Sequence, residues 1–440
     1  MGERGGLWSH GDFLRLWAAQ AVSAFGFRIT RTGLPIIAVT TLDQPEVVVS
    51  VLMAIQIAPG LLVGLFAGGW IDRSRKRRIL IASDLIRAAA IASLTLAWAA
   101  GALSIGHVLA TGAVVGAASA LFQITDNTYL PALIGRRQLA EGNAKIESTE
   151  AIAEITGPAA AGYLIRLLGA PLAIVLNAAT YIWSAIFLGR IRTVESPPTE
   201  SVPSRQIGED LRIGFREVFR HPIVRPIVLS HMVWSISGGF FLALYTLFCL
   251  RELRLSEGTF GVIVGMGGVG SLGGALISRA LVRRLGLGRT LITTSVLSLA
   301  CALFIPLAGS SATGGSFALI VGCLVAHQLL SDGFSVAFVI QAVTLRQTVL
   351  PRETLGRANA AIHVVTSGML PVAAIIAGVI AEVAGTRFAV WVGVLVGLVA
   401  PLLLWPLRRL REMPPSASGE IPVTAAAGEA QPSGPASAAR

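Results

Sequence analysis

The chain has 440 residues, of which 54% are hydrophobic and 13% charged, and its formal net charge is +11. Soluble domains carry about 25% charged residues. A chain with this composition and a mean hydropathy of +0.72 lacks the polar surface that water requires. The composition excludes a water-soluble enzyme or binding module and indicates an integral membrane protein.

The apolar residues fall into twelve blocks, each long enough to cross a bilayer as a helix, which takes about 20 mostly apolar residues. The first six predicted spans are Phe13 to Ala38, Val47 to Trp70, Ile79 to Ala99, Gly106 to Leu130, Ala144 to Leu168 and Pro171 to Leu188. The last six are Ile223 to Leu250, Thr259 to Val282, Thr290 to Leu307, Ser316 to Val343, Ala358 to Val383 and Arg387 to Leu407. The sequence therefore predicts an all-α membrane protein with twelve transmembrane helices.

Cationic residues are concentrated in alternate loops between these spans. The clusters lie at 73–78, 136–137, 190–225, 283–289 and 346–357, and the exceptions on the other side are Arg251, Arg254 and Arg387. This bias follows the positive-inside rule. It explains the net charge without nucleic acid and predicts a multi-pass protein of the inner (plasma) membrane with both termini in the cytoplasm.

The polar stretch from Arg190 to His221 separates six spans from six. It predicts an N-terminal six-helix bundle over residues 1–189, a cytoplasmic linker over 190–221 and a C-terminal six-helix bundle over 222–411. Within the linker, Ile207 to Phe219 has the pattern of a short amphipathic surface helix, and a solvated loop is the alternative. Residues 412–440, mostly Pro, Ser, Ala and Gly, are predicted to form a disordered cytoplasmic tail.

The two halves contain a repeat at a constant offset of 216 residues. The segment from Gly135 aligns without gaps to the segment from Pro351, and both occupy the start of the fifth helix of their half. The identical pairs include Leu139/Leu355, Asn143/Asn359, Ile146/Ile362, Gly162/Gly378 and Gly169/Gly385. Chance matches in low-complexity membrane sequence are the alternative, but the shared position favours two pseudo-symmetric bundles.

Ionisable side chains inside membrane spans are costly and usually functional. Arg28 and Arg31 lie three residues apart in the first span, and Glu147, Glu150 and Glu154 form one stripe on the fifth. Arg28 and Glu154 are predicted at similar depths and can pair, whereas Glu147 is expected to be solvated. One hypothesis is that Glu154, or else Glu150, alternates between ion-paired and protonated states and couples proton entry to substrate exit. The alternative is a permanent Arg28–Glu154 ion pair that holds the helices together.

Other polar groups within the spans suggest pairing or substrate contact. Asp84 and Arg87, three residues apart in the third span, are predicted to satisfy each other. Gln328 and Asp332 in the tenth span lie near the midplane and are candidates to face a substrate, while the neighbouring His327 fits a packed core position equally well.

Aromatic side chains in the seventh span, among them Trp234 and Tyr245, could form a wall for a planar substrate, although lipid-facing aromatics are the alternative. We predict no disulfide and no metal site, because the three cysteines lie within apolar spans without ligand spacing. Glycines at four-residue spacing between Gly261 and Ala275 predict close helix packing.

The loop between the second and third spans reads GGWIDRSRKRRIL, from Gly68 to Leu80. It resembles the signature loop of the major facilitator superfamily. Val339 to Ile362 and Leu130 to Ala144 resemble matching helix junctions of the macrolide-efflux and enterobactin-exporter-like branch of that superfamily. In the fifth span, Gly157, Pro158 and Gly162 resemble the Gly-Pro motif of drug/proton antiporters.

The resemblance implies a secondary transporter that exports small amphipathic molecules, as in multidrug or antibiotic resistance. It implies alternating access driven by the proton gradient, a monomer in the lipid bilayer and no cofactor. A siderophore exporter of the same fold is the alternative. An integral membrane enzyme is disfavoured because the six histidines are scattered and no catalytic cluster is evident. A passive channel is disfavoured because it needs no latch between the halves.

The resemblance also implies such a latch. In the superfamily the loop aspartate, here Asp72 between Gly68 and Arg73, docks at the N-terminus of helix eleven when the cytoplasmic side is closed. Helix eleven is predicted to begin near Ala358.

Two further cations of the loop belong to the same arrangement. Lys76 or Arg77 would pair with Asp126 at the cytoplasmic end of helix four. The alternative is that the cations of the loop only set the topology. The loop departs from the family pattern at Arg75, where glycine is frequent.

Overall fold

The structure is a computed structural model that describes residues 7–67, 70–71, 73–135, 138–193, 195, 207–309 and 316–414. Within these ranges all regular secondary structure is helical, which confirms the predicted fold class. A helix lies at each of the twelve predicted blocks of the described chain.

We number these helices α1 to α12 in chain order. The first six are α1 Gly11–Ile36, α2 Glu46–Phe66, α3 Lys76–Ala99, α4 Ile105–Ile134, α5 Leu139–Leu168 and α6 Ala170–Gly189. The last six are α7 Val224–Leu247, α8 Glu257–Leu285, α9 Leu287–Ala302, α10 Phe317–Val349, α11 Arg352–Ala384 and α12 Thr386–Gly397. The linker helix, Ile207–Arg220, lies between α6 and α7.

Ten helical segments of the described chain are long and apolar enough to cross a membrane, with α9 and α12 counted together with the short turns that follow them. The other two, α1 and α5, have 26 and 30 residues and contain the intramembrane charges predicted above. Their length suffices for a crossing, while their polar side chains lower their hydropathy. The protein is therefore a multi-pass, all-helical membrane protein, and the count of twelve crossings stays a prediction.

Prolines explain why two helices end before their predicted spans do. α9 ends at Ala302 and α12 at Gly397, four residues before Pro306 and Pro401 respectively. A proline ring clashes with the carbonyl of the residue four positions earlier and removes a backbone donor. The chain continues in each case as one short helical turn, Phe304–Leu307 and Ala400–Leu403.

The helix ends define two sides of the molecule, and we call the side that holds the linker helix the linker side. There the Asp12 carboxylate, at the start of α1, accepts hydrogen bonds from the backbone N–H groups of Arg192 and Thr193 at 3.1 and 2.8 Å. Arg357, near the start of α11, pairs with Asp210 of the linker helix at 2.7 Å. The start of α2 and the end of α7 lie on the opposite side.

The linker helix confirms the amphipathic pattern predicted for this segment. Its Gly214 packs against the backbone carbonyl of Arg357, so the helix lies against the first turns of α11. The solvated-loop alternative is wrong for residues 207–220. The predicted disordered tail lies outside the described residues from position 415 onward.

The halves meet mainly through two helix pairs, α5 with α8 and α2 with α11. Gly162 of α5 packs on the carbonyl of Glu257, and Gly378 of α11 packs on Ser50 of α2, so closely that a Cβ at either glycine would overlap its neighbour. These glycines are partners in the 216-residue offset. Close packing at a glycine therefore occurs at both interfaces, toward the side of the molecule opposite the linker side.

The repeat extends to the backbone at the ends of these helices. Gly169 joins α5 to α6 with φ of 79°, and its repeat partner Gly385 joins α11 to α12 with φ of 92°. Residues with a Cβ rarely adopt this left-handed region, so glycine is favoured at both junctions.

Candidate functional site

A cavity of about 700 Å³ lies in the linker-side part of the first six helices. Small-molecule sites typically occupy about 300–1,000 Å³. Its wall is formed by α1, α2, α3, α4 and α5. The polar side chains that line it are Gln20, Ser23, Arg28, Gln56, Arg87, Ser119, Gln123, Asp126, Asn127, Asn143, Glu147 and Glu150. The site combines apolar walls with several polar groups.

Arg28 holds the central charge cluster. Its Nη2 forms an ion pair with Glu154 and lies 3.5 Å from Oε2 of Glu150, so the predicted Arg28–Glu154 pair is confirmed. The Arg28 side chain is 15% exposed, whereas Glu150 and Glu154 are 41% and 44% exposed. One largely buried guanidinium thus forms ion pairs with two accessible carboxylates. Arg31 is exposed and takes part in no ion pair between described residues.

The helix-five motif positions this cluster and the interface beside it. A Cβ at Gly157 would lie 2.7 Å from Cβ and 2.9 Å from Cγ of Arg28, so the glycine allows α1 to approach α5. The backbone carbonyl of Pro158 contacts Gly261 of α8, and Gly162 faces the same helix. The motif therefore contacts α1 on one face and α8 on another. The predicted close packing of the α8 glycines is confirmed.

Asp84 and Arg87 form a buried ion pair within α3, as predicted, with exposed fractions of 0% and 3%. The Arg87 guanidinium also lies over the rings of Phe122 and Tyr181, 4.5 and 4.3 Å from their centroids. Two ring faces and one carboxylate together offset the loss of hydration of this cation. This is the structural pairing expected from the sequence.

The predicted pairing of Lys76 or Arg77 with Asp126 is wrong for this conformation. Backbone N–H groups of Lys76 and Arg77 donate to the Glu195 carboxylate at 2.8 and 2.7 Å, which caps the start of α3. The Arg77 guanidinium donates to backbone carbonyls of Leu188 and Gly189, at the end of α6. These contacts hold Arg77 against α6.

The rest of the predicted latch is only partly visible. Asp72 and Gly68 lie outside the described residues, and Arg73 is exposed. The start of α11, where Asp72 is predicted to dock, contacts the linker helix in this structure.

The four predicted cavity residues of the second half do not line the 700 Å³ cavity, and their contact with substrate stays a prediction. Gln328 donates to the carbonyl of Val264 at 3.3 Å. The Asp332 carboxylate packs against Gly267 so closely that a Cβ there would overlap it. Glycines of α8 allow the close approach of α10, so Gln328 and Asp332 face α8.

The aromatic residues of α7 pack within the second half. Trp234 lies beside His231, with ring centroids 5.6 Å apart, and Tyr245 lies between Phe260 and His327. His327 Nδ1 is 3.2 Å from the carbonyl of Cys301 and the residue is buried. His327 is thus the packed core residue that the sequence left open.

Sequence reasoning missed the glutamines of the cavity, namely Gln20, Gln56 and Gln123. Gln20 is 7% exposed, and its Nε2 donates to the Asp126 carboxylate. The signal was present, since each amide interrupts an otherwise apolar span. An amide carries no formal charge, however, so a pattern of intramembrane charges does not include these three residues.

Comparison with known proteins places the fold in a family. Residues 16 to 349 match the model of the Major Facilitator Superfamily. The chain belongs to this superfamily of membrane transporters. The resemblance in the basic loop between α2 and α3 is thereby confirmed at the level of the superfamily.

Two relatives match most of the chain. The multidrug efflux pump Tap of Mycolicibacterium fortuitum is 25% identical over 378 residues, 81% of this chain and 86% of Tap. The uncharacterized MFS-type transporter YvqJ of Bacillus subtilis (strain 168) is 22% identical over 358 residues, 80% of this chain and 82% of that protein.

Solved structures of transporters share the fold. A bacterial homologue of the iron transporter ferroportin in the inward-facing state has a TM-score of 0.71 at 18% identity, covering 90% of this chain and 98% of that chain. Such a homologue in the outward-facing state has a TM-score of 0.56 at 19% identity, covering 90% of this chain and 99% of that chain. These likenesses show the architecture of the superfamily.

Proposed function

We propose that this protein is a proton-coupled secondary transporter that exports small amphipathic molecules from the cytoplasm by alternating access. The observation that carries the proposal is the cavity itself, in which apolar walls meet Arg28 and Glu150, while Glu154 pairs with Arg28 outside the lining. The similarity to the multidrug efflux pump Tap supports export. We place the chain in the macrolide-efflux and enterobactin-exporter-like branch, as a monomer with twelve transmembrane helices and no cofactor.

The charge bias of the loops supports a location in the plasma membrane with the linker side in the cytoplasm. The cavity then faces the compartment from which substrate is taken. On the opposite side, α5 with α8 and α2 with α11 close the path between the halves. The structure corresponds, on this assignment, to a state ready to load substrate.

The Arg28 cluster supports coupling to protons. A proton on Glu154 removes its attraction to Arg28 and leaves the guanidinium to Glu150, so protonation changes the contact between α1 and α5. Since α5 also contacts α8 across the halves, a change at Glu154 is transmitted to the interface that must open. The Asp72 latch, in this proposal, closes the cytoplasmic side in the other state.

Proteoliposomes with an imposed pH gradient test the proposal, with ethidium and dansyl pentanol as fluorescent amphipathic probes. Wild-type protein should accumulate a probe against its concentration when the gradient is present and only equilibrate it when the gradient is absent. Glu154→Gln should show the equilibration level under both conditions, because a neutral amide cannot exchange the proton.

Glu209→Gln is the matched control, since Glu209 is an exposed carboxylate of the linker helix whose partner is Arg212. It should retain the gradient dependence of the wild type. Full gradient-driven accumulation by Glu154→Gln would rule out Glu154 as the coupling group. Accumulation by the wild type that is the same with and without the gradient would rule out proton antiport.

A further inference from the structure

One pair of side chains in the cavity is separate from the Arg28 cluster. Gln20 of α1 and Asp126 of α4 both line the wall, where Gln20 Nε2 donates to Asp126 Oδ1. Gln20 is buried, and its Oε1 has no hydrogen-bond partner among the described residues. A buried acceptor without a partner is unfavourable. The pair therefore offers both a carboxylate and an unused amide oxygen.

The charges around the cavity favour a cation. Asp126, Glu147 and Glu150 line the wall together with Arg28 and Arg87. Each guanidinium already has a carboxylate partner outside the lining, Glu154 for Arg28 and Asp84 for Arg87. Asp126 is in none of the ion pairs between described residues, so its charge is available to a ligand.

The remaining wall of the cavity is apolar. Ala24 and Phe27 of α1 and Phe122 and Leu130 of α4 lie on the same two helices as Gln20 and Asp126. An apolar body can pack on these side chains while its polar head reaches the pair.

We infer that Asp126 and Gln20 form the recognition site for an N–H-bearing cation, the ammonium or guanidinium head of an amphipathic substrate. Asp126 neutralises the charge and accepts one N–H, and Gln20 Oε1 accepts a second. A quaternary ammonium keeps the charge but has no N–H to donate, so it should bind less well. The inference rests on the proposed transport function, but it concerns binding and assigns these residues a role apart from coupling at Glu154.

Binding of three dansyl probes to the purified full-length protein, without any gradient, tests the site. The probes share a five-carbon chain that ends in a primary ammonium, a trimethylammonium or a hydroxyl group. For the wild type, the ammonium probe should bind about tenfold more tightly than the alcohol or better, with the trimethylammonium probe between them.

The variants separate charge from hydrogen bonding. Asp126→Asn should bring the Kd of the ammonium probe close to that of the alcohol, and Asp126→Glu should keep the preference for the cation. Gln20→Leu should keep the preference for cation over alcohol and weaken the preference for ammonium over trimethylammonium, because only the N–H that Asp126 accepts remains. Glu209→Gln, outside the cavity, should match the wild type.

Binding of the alcohol probe shows whether each variant is folded. If Asp126→Asn binds this probe normally and still prefers the ammonium as the wild type does, the inference is wrong. If Asp126→Asn does not fold, Gln20→Leu decides, and unchanged discrimination between the two cations overturns the site. Loss of the ammonium preference in Asp126→Asn together with gradient-independent transport by the wild type would sustain the site and refute the proposed coupling. An unchanged ammonium preference in Asp126→Asn together with gradient-dependent transport by the wild type would overturn the site and sustain the coupling.

Discussion

Arg28 shows how packing and charge act on the same residue. Its aliphatic carbons lie against Gly157, and its guanidinium reaches both Glu150 and Glu154. The pairing with Glu154 was predictable because residue count fixes the depth of a side chain along a helix. The pairing of Asp126 was not, because its partner depends on which way α4 is rotated about its axis.

Gly157→Ala should destabilise the protein, because the added Cβ lies 2.7 Å from Arg28 Cβ, which is held close to the backbone of α1. Overpacking of this kind costs about 1–3 kcal/mol, whereas alanine in place of a helical glycine gains about 1 kcal/mol where space is free. Thermal unfolding of the purified protein measures the difference. Gly64→Ala is the control, since nothing lies within 4 Å of its new Cβ. An equal or higher melting temperature for Gly157→Ala than for Gly64→Ala would contradict the close approach of α1 and α5.

At the scale of elements, the ends of helices are tied by carboxylates that accept backbone N–H groups. Glu195 caps the start of α3, and Asp12 joins the start of α1 to the segment after α6. Both contacts lie on the linker side, at the border of the predicted linker. They fix how the first bundle ends and where the linker begins.

The Asp12 contact predicts a pH dependence of stability. Burial raises the pKa of Asp12, but hydrogen bonds from Thr193 and Arg192 together with Arg15 outweigh it and lower the pKa from 3.8 to about 2. A carboxyl whose pKa is lowered in the folded state stabilises the protein at pH values above its pKa in the unfolded chain. This contribution is lost as the pH falls through the pKa of the folded state.

Acid unfolding of the wild type and Asp12→Asn tests this dependence. The wild type should be more stable by about 1 kcal/mol at neutral pH, since solvent screens this contact, and the difference should shrink between about pH 4 and pH 2. Glu382→Gln is the comparison, since Glu382 is an exposed carboxylate near the end of α11 that takes part in no ion pair between described residues. A stability difference for Asp12→Asn that stays constant down to pH 2 would contradict the lowered pKa.

At the scale of the whole molecule, the arginines that departed from the charge bias have structural roles. Arg251, just after the end of α7, pairs across the halves with Asp43 at 2.7 Å and Glu46 at 3.4 Å. Arg387, at the start of α12, pairs with Glu252 inside the second half at 2.6 Å. Arg251 therefore joins the two halves on the closed side, and Arg387 does not.

Arg251→Gln should favour the conformation that is open on the opposite side, because it removes both ion pairs across the halves. Each partly exposed pair contributes about 1 kcal/mol or less, so we expect the population to shift by about fivefold. Hydrogen–deuterium exchange measures this shift as faster exchange in the contacting segments of α5 and α8.

Arg387→Gln is the matched control, because it breaks an ion pair on the same side but within one half. It should leave exchange in these segments near that of the wild type. Equal exchange in both variants would show that Arg251 does not hold the halves together.

The sequence by itself determined the membrane location, the helical blocks, the repeat, the basic loop and the Arg28–Glu154 pair. These follow from local hydropathy, from charge, and from position along a helix, which are all encoded in single segments. Only the tertiary structure decided that Gln20 and Asp126 meet on the cavity wall, that Asp332 faces Gly267, and that α5 packs against the glycines of α8. The physical reason is the solvent: lipid is as apolar as a helix interface, so hydropathy does not show which face of a membrane helix turns inward. Close packing and polar contacts between helices settle that rotation, and they exist only in the folded molecule.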